Sequence, residues 1–160
     1  MGSAFPHPEM SQLPPQWQPD AQGMAVAIIV ARFNGVITEK LRAGAEEALR
    51  QAKAERVEVF HVPGAFELPF AAARLVEDYD AIVALGAVIR GETPHFDYVC
   101  TEAARGIQQV MLETGVPVSF GVLTTDTLEQ AEARAGGVHG NKGYDAAMTA
   151  IEMARFPPRA

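Results

Sequence analysis

The chain is 160 residues long, with 13 Lys plus Arg against 20 Asp plus Glu, 48% apolar residues, 4 histidines and 1 cysteine. That is the size and make-up of one globular domain, and a net charge of −7 excludes the wrapping of a polyanion such as DNA, which needs a basic face. One cysteine cannot close an internal disulfide, so a packed core must hold the fold and the cytoplasm is the expected location; the longest apolar runs, 24–31 and 81–89, fall well short of the roughly 20 residues of a membrane helix.

Residues 1–23 contain no Lys or Arg and have prolines at 6, 8, 14, 15 and 19. They lack both the basic and the apolar regions of a signal peptide and read as a flexible, proline-rich tail. Met1-Gly2 is not a myristoylation signal, because Pro6 stands where Ser or Thr is required. Residues 24–31 are a short apolar, β-branched run stopped by Arg32-Phe33-Asn34-Gly35, the pattern of a strand buried on both faces. Leu41, Ala45, Ala48, Leu49 and Ala52 then recur at helical spacing, with Glu39, Lys40, Glu46, Glu47 and Lys53 opposite them. A second strand over 57–62 is broken by Pro63-Gly64, a helix is predicted over 68–77, and 81–89 reads as a third strand.

After Arg90-Gly91-Glu92-Thr93, Pro94 suits the first helical position and Thr93 the cap before it. Val99, Ala103, Ile107, Val110 and Met111 mark the buried stripe of a helix ending near Gly115. Residues 118–123 form a fourth strand, and Thr127-Leu128-Glu129-Gln130 matches a capping box opening a short helix. A Gly-rich loop over 135–143 leads to a last helix with Tyr144, Ala147, Met148, Ile151 and Ala154 on one side. Apolar strands alternating with helices specify an α/β domain over 24–156 with a short tail at 157–160. Its expected architecture is three-layered and flavodoxin-like, a four-stranded parallel sheet with helices on both faces and right-handed crossovers.

Open parallel sheets bind ligands beyond the carboxyl ends of their strands, which directs attention to Phe33-Asn34, 63–67, 90–95 and 124–127. Gly91-Glu92-Thr93-Pro94 places main-chain N–H groups and a hydroxyl at the start of a long helix, where an anion is favoured; Thr-Pro also opens many helices that bind nothing. His95 stands beside that turn; an imidazole is the side chain suited to proton transfer near neutral pH, so it can move a proton there or be only a polar first-turn residue. His7, His61 and His139 lie in other segments without ligand spacing, and no metal site is expected. Arg134 and Lys142 flank the Gly-rich loop, as a phosphate fork and a point charge or as a solvated surface pair. Phe33 and Phe66 fall just after strand ends, where an exposed ring suits a flat ligand or a neighbouring subunit. Glu67 can accept hydroxyl hydrogen bonds, or serve only as a first-turn acid.

Taken together, these segments resemble the 6,7-dimethyl-8-ribityllumazine synthase family. The matching stretches are Ala31-Arg32-Phe33-Asn34, Val62-Pro63-Gly64-Ala65-Phe66-Glu67-Leu68-Pro69, Gly86-Ala87-Val88-Ile89-Arg90-Gly91-Glu92-Thr93-Pro94-His95-Phe96, Gly121-Val122-Leu123-Thr124-Thr125-Asp126 and Gly140-Asn141-Lys142-Gly143 with Ala150-Ile151-Glu152-Met153-Ala154, in order over about 24–155. The resemblance implies condensation of 5-amino-6-(D-ribitylamino)uracil with 3,4-dihydroxy-2-butanone 4-phosphate, without metal or organic cofactor. It implies that Phe33 stacks on the pyrimidine with Asn34 beside it. Ala65, Phe66 and Glu67 would hold the ribityl chain, and Val88 and Ile89 would line the pyrimidine edge. Gly91, Glu92 and Thr93 would cradle the phosphate with Arg134, Lys142 would reach a pyrimidine carbonyl, and His95 would shuttle protons. Phe120, Arg134 and Lys142 would come from an adjacent subunit of a homo-oligomer.

The family forms pentamers and, in some members, sixty-subunit shells. The short stretch 134–142 resembles that of shell formers, and riboflavin synthase is a candidate partner enclosed within. Nucleic acid and membrane are not expected partners. Two alternatives share the sheet topology: a non-catalytic flavodoxin-like flavin-binding module, and the archaeal type of riboflavin synthase.

Overall fold

A computed structural model of the chain describes residues 19–158. Residues 1–18 of the expected N-terminal tail, and 159–160 at the other end, lie outside the described residues. The elements in chain order are β1 (Ala25–Ala31), α1 (Gly35–Gln51), β2 (Arg56–Val62), a 3-10 turn (Ala65–Glu67), α2 (Leu68–Leu75), β3 (Ala81–Ile89), α3 (His95–Thr114), β4 (Val118–Thr125), α4 (Leu128–Ala133), β5 (Ala135–Gly137), β6 (Gly140–Asn141) and α5 (Lys142–Ala154). The main sheet has four parallel strands in the order β2-β1-β3-β4. It is the three-layer α/β architecture that the alternation of periods specifies.

Both faces of the sheet are covered, which is why β1 and β3 are apolar throughout. On one face Val26, Ile28, Val30, Val83 and Leu85 meet Leu41, Ala45 and Leu49 of α1 and Tyr144, Ala147 and Ile151 of α5. On the other, Ala27, Ile29, Ile82 and Ala84 meet Leu68 and Ala72 of α2 and Ala103 and Ile107 of α3. Full burial of a Val, Leu or Ile side chain among these contributes about 1.5–3 kcal/mol. β2 is an edge strand, and Arg56, Glu58 and His61 on it are exposed.

The Gly-rich stretch predicted as a loop holds instead a small antiparallel pair, β5 with β6. Gly136 at φ 101° and Gly140 at φ 80° allow the tight return, and strands of two and three residues leave no periodicity to read. Several boundaries also move, β1 and β2 by one residue at their starts. β4 runs on to Thr125, α2 stops at Leu75, and α3 begins at His95, so Pro94 occupies the cap position and Thr93 precedes it. Thr93 Oγ1 still accepts the His95 N–H, at 3.4 Å. The capping box at α4 is present with both of its bonds, from Gln130 N–H to Thr127 Oγ1 and from Thr127 N–H to Gln130 Oε1. Residues 19–23, the last of those assigned to the tail, lie against the domain: Ala21 is fully buried, its N–H donates to Ala52 O at 2.8 Å, and Arg155 donates to the carbonyls of Asp20 and Gln22.

α5 is held against α1 by close approach of their backbones. A Cβ on Gly143 would stand 2.6 Å from the Leu41 carbonyl carbon and nearer still to its oxygen. Asn141 caps α5 by accepting the Tyr144 N–H at 3.0 Å and donates to Lys40 O at 3.0 Å. Gly143→Ala should therefore lower unfolding free energy by about 1–3 kcal/mol, the range for overpacking. Gly35→Ala, where a Cβ meets nothing within 4 Å, should leave it equal or raise it by about 0.4–1 kcal/mol. Urea midpoints at matched protein concentration measure both; a Gly143→Ala midpoint at or above the parent's would contradict the contact.

Candidate functional site

Parallel strands direct all their carboxyl ends to one edge, and the order β2-β1-β3-β4 places the topological switch between β1 and β3. Asn34 spans that switch. Its main chain is left-handed, φ 58° and ψ 46°, a conformation Asn tolerates better than most residues, and its Nδ2 donates to Ala87 O on β3 at 2.7 Å. Pairing of β1 with the segment after β2 continues past the sheet, with Arg32 N–H on Val62 O and Phe33 N–H on Pro63 O. Phe33 is thereby held beyond the last ladder rung and is 72% exposed.

Gly64 brings the next two groups together. A Cβ there would lie 2.9 Å from Phe33 Cδ2 and 3.4 Å from Glu67 Oε1, so the ring and the carboxylate share one corner above β1 and β2. Glu67 is half-buried, Phe66 exposed and Ala65 buried. Ala65 packs against Gly86 of β3, where an added Cβ would meet Ala65 Cβ at 3.4 Å. Val88 and Ile89 end β3 half-buried, and Gly91, Glu92, Thr93 and His95 follow, all exposed at the amino end of α3. That helix is 20 residues long, and the first N–H groups of a helix favour an anion.

Phe120, Arg134 and Lys142 line a different feature, a cleft of about 810 Å³ shared with Ser119, His139, Asp145 and Thr149. The hairpin of β5 and β6 is bonded back onto the end of α4, His139 N–H to Ala133 O and Lys142 N–H to Arg134 O, both at 2.8 Å. These bonds gather Arg134, His139 and Lys142 at one mouth, and Arg134 Nη1 also donates to Gln130 O at 3.0 Å. Sequence reasoning set His139 aside for want of ligand spacing and missed Asp145, which is buried; the glycines at 136, 137 and 140 were the available sign of a tight return. The expected site residues thus form two groups in one protomer, Phe33 to His95 along the ends of β1–β3 and Phe120, Arg134 and Lys142 in the cleft.

Among the described residues no cluster of three or more His, Cys, Asp or Glu could hold a metal ion, and no helix is long and apolar enough to cross a membrane. Cys100, the single cysteine, sits on α3 one turn beyond Phe96. Burial first and the Asp97 charge second push its thiol above the ordinary range, with Arg90 opposing them; less thiolate forms near neutrality and the thiol is a poor nucleophile.

A three-layer α/β domain with an aromatic ring, a carboxylate and a helix amino terminus on its carboxyl edge is a binder of small ligands in class. Residues 23–157 match the family model described as 6,7-dimethyl-8-ribityllumazine synthase, and the chain belongs to that family. Its members are transferases of riboflavin biosynthesis that take small-molecule substrates and assemble as oligomers.

Cys100 should react with iodoacetamide at pH 7.5 more slowly than a cysteine in an unstructured peptide, with the rate still climbing above pH 9, because a raised thiol pKa moves thiolate formation upward. A rate at pH 7.5 equal to or above the peptide's would contradict that environment.

Proposed function

We propose that this protein condenses 5-amino-6-(D-ribitylamino)uracil with 3,4-dihydroxy-2-butanone 4-phosphate to 6,7-dimethyl-8-ribityllumazine, releasing phosphate and water, in the cytoplasm. The observation that carries the reading is the family match over 23–157, and the placement of an exposed ring, an acid and an anion-favouring helix start along one edge supports it. Phe33 stacks on the pyrimidine with Asn34 beside it. Glu67 accepts from the ribityl hydroxyls within the Ala65-Phe66-Glu67 turn, and Val88 and Ile89 line the ring edge. The phosphate lies on Gly91, Glu92 and Thr93 at the start of α3, where main-chain N–H groups and the helix dipole oppose its charge.

The aryl 5-amine attacks the butanone carbonyl and water leaves to give an imine. Loss of the proton on the neighbouring carbon expels phosphate and leaves an enol, a proton returned to its terminal carbon gives the methyl ketone, and the ribityl-bearing nitrogen attacks that carbonyl to close the ring with loss of a second water. His95, at the first turn of α3, takes and returns protons in these steps. An aryl diamine needs little activation, so holding the two substrates in register contributes most of the acceleration.

One protomer's cleft of Phe120, Arg134 and Lys142 completes the site of a neighbour, with Arg134 on the phosphate and Lys142 on a pyrimidine carbonyl. This reading needs a homo-oligomer. A pentamer is proposed, associating into a sixty-subunit shell because 134–142 is short, and riboflavin synthase is a candidate partner for such a shell. Light scattering at several concentrations separates shell from free pentamer.

Mixing the protein with both substrates and following lumazine fluorescence tests the activity directly. His95→Ala should lower kcat about 10- to 100-fold, the lower range of general acid–base effects, and an unchanged kcat across the pH range would remove His95 from the chemistry. Arg134→Ala should raise KM for the phosphorylated substrate about tenfold or more, as expected for loss of a charge-assisted hydrogen bond; an unchanged KM would remove Arg134 from the site.

A further inference from the structure

We propose that Arg90 is a positioning residue for this condensation, holding the Gly91–Thr93 loop and the first turn of α3 in register with the start of α4; the proposal rests on the function proposed above. The main chain of Arg90 carries the sheet one step past β3, its N–H donating to Thr125 O at 2.9 Å. Its guanidinium meets three neighbours. Nε donates to Asp126 Oδ1 at 2.8 Å, Nη1 lies 3.6 Å from Asp97 Oδ1, and Cζ stands 4.3 Å from the centre of the Phe96 ring.

Those neighbours belong to two elements. Phe96 and Asp97 directly follow His95 in α3, whereas Asp126 lies in the turn between β4 and α4. Asp126 is itself anchored, because its N–H donates to Gln130 Oε1 at 2.8 Å within the α4 cap. A single side chain therefore ties the loop at both of its ends to a fixed helix start. An arginine next to an anion-favouring loop is at first sight a phosphate ligand, yet here its fork is directed at two carboxylates. It also offsets the charge of Asp97 and Asp126, the two acids it meets on either side of the loop.

Only a planar fork satisfies this geometry. A lysine keeps the charge but cannot bond Asp126, face Asp97 and lie over Phe96 together. Asp97 and Asp126 are exposed and Arg90 about half so, 62%, 65% and 48% for the side chains, and exposed pairs add little to folding stability. Loss of Arg90 should thus disturb the loop and His95 far more than the fold, whereas a small displacement of a reacting group costs rate steeply.

Steady-state kinetics on the assembled enzyme with Arg90→Ala, Arg90→Lys, Asp126→Ala and the Arg90→Ala/Asp126→Ala double variant test this. For Arg90→Ala, kcat should fall about tenfold and KM for the phosphorylated substrate should rise severalfold. KM for the uracil substrate should stay within about twofold, since Phe33 and Glu67 are held by the β1 and β2 ends. Arg90→Lys should stay nearly as slow as Arg90→Ala, Asp126→Ala should move the same two constants, and the double variant should be no slower than Arg90→Ala alone. If Arg90→Ala fails to fold, Arg90→Lys and Asp126→Ala carry the same expectations. The proposal is overturned if kcat and both KM values of Arg90→Ala lie within about twofold of the parent, if Arg90→Lys restores the parent kcat, or if both KM values rise together with a lowered denaturation midpoint. Failure of the underlying reading looks different: the parent protein makes no lumazine, or His95→Ala leaves kcat unchanged.

Discussion

The hydrogen bond from Asn34 Nδ2 to Ala87 O is the point on which the rest of the candidate site depends. It closes the switch between β1 and β3, where the chain departs to opposite faces of the sheet and the two strand ends would otherwise diverge. With that gap fixed, Phe33 stands above β1, Glu67 meets it at the Gly64 corner, and the Gly91–Thr93 loop leaves β3 beside them. The left-handed main chain of Asn34 serves the same end, since it both starts α1 and turns the amide across the switch. Rigid strands thereby hold groups contributed by loops, and preorganisation of that kind is what a reaction governed by positioning requires.

The second group rests on a different constraint. Small residues let α5 approach α1 so closely that Gly143 abuts the Leu41 carbonyl, and Asn141 bonds to both helices. Lys142 lies between these two fixed residues, and the β5–β6 hairpin ties it to Arg134. The glycines around the lysine are therefore structural necessities of its placement. Each protomer carries both groups in separate places, which on the proposed reading makes the oligomer the unit of function: one chain offers the ring-binding edge, the next offers the cations.

Much of this was legible in the sequence. The buried strands announce themselves as unbroken apolar runs, α1, α3 and α5 by their stripes, and α4 by a capping box whose two bonds depend only on local residues. From a parallel sheet it follows that Phe33, Phe66, Glu67 and the residues after Ile89 share one edge. What could not be read depends on contacts distant in sequence. The β5–β6 pair is too short for periodicity, the α3 start slips by one residue because Thr93 and Pro94 both suit a helix opening, and the meeting of His139 with Arg134 and Lys142 follows from hydrogen bonds to the end of α4. Arg134 and Lys142 stood out by their charge beside the Gly-rich loop, but the role of Phe120 and the placing of all three on an adjacent subunit came from resemblance alone, because nothing in their local sequence indicates a shared cleft.

The central claim, that two copies of this chain complete one condensing site, is tested most directly by complementation. His95→Ala and Arg134→Ala proteins, both impaired when the phosphorylated substrate is held well below the parental KM, are dissociated, mixed in equal amounts, reassembled and assayed at that concentration. A neighbour-shared site predicts recovery of about a quarter of the parental lumazine-forming activity, since random mixing leaves that share of interfaces with both residues intact in a cyclic, head-to-tail arrangement. Activity no greater than the average of the two reassembled variants alone, with mixed oligomers demonstrated, would contradict the account.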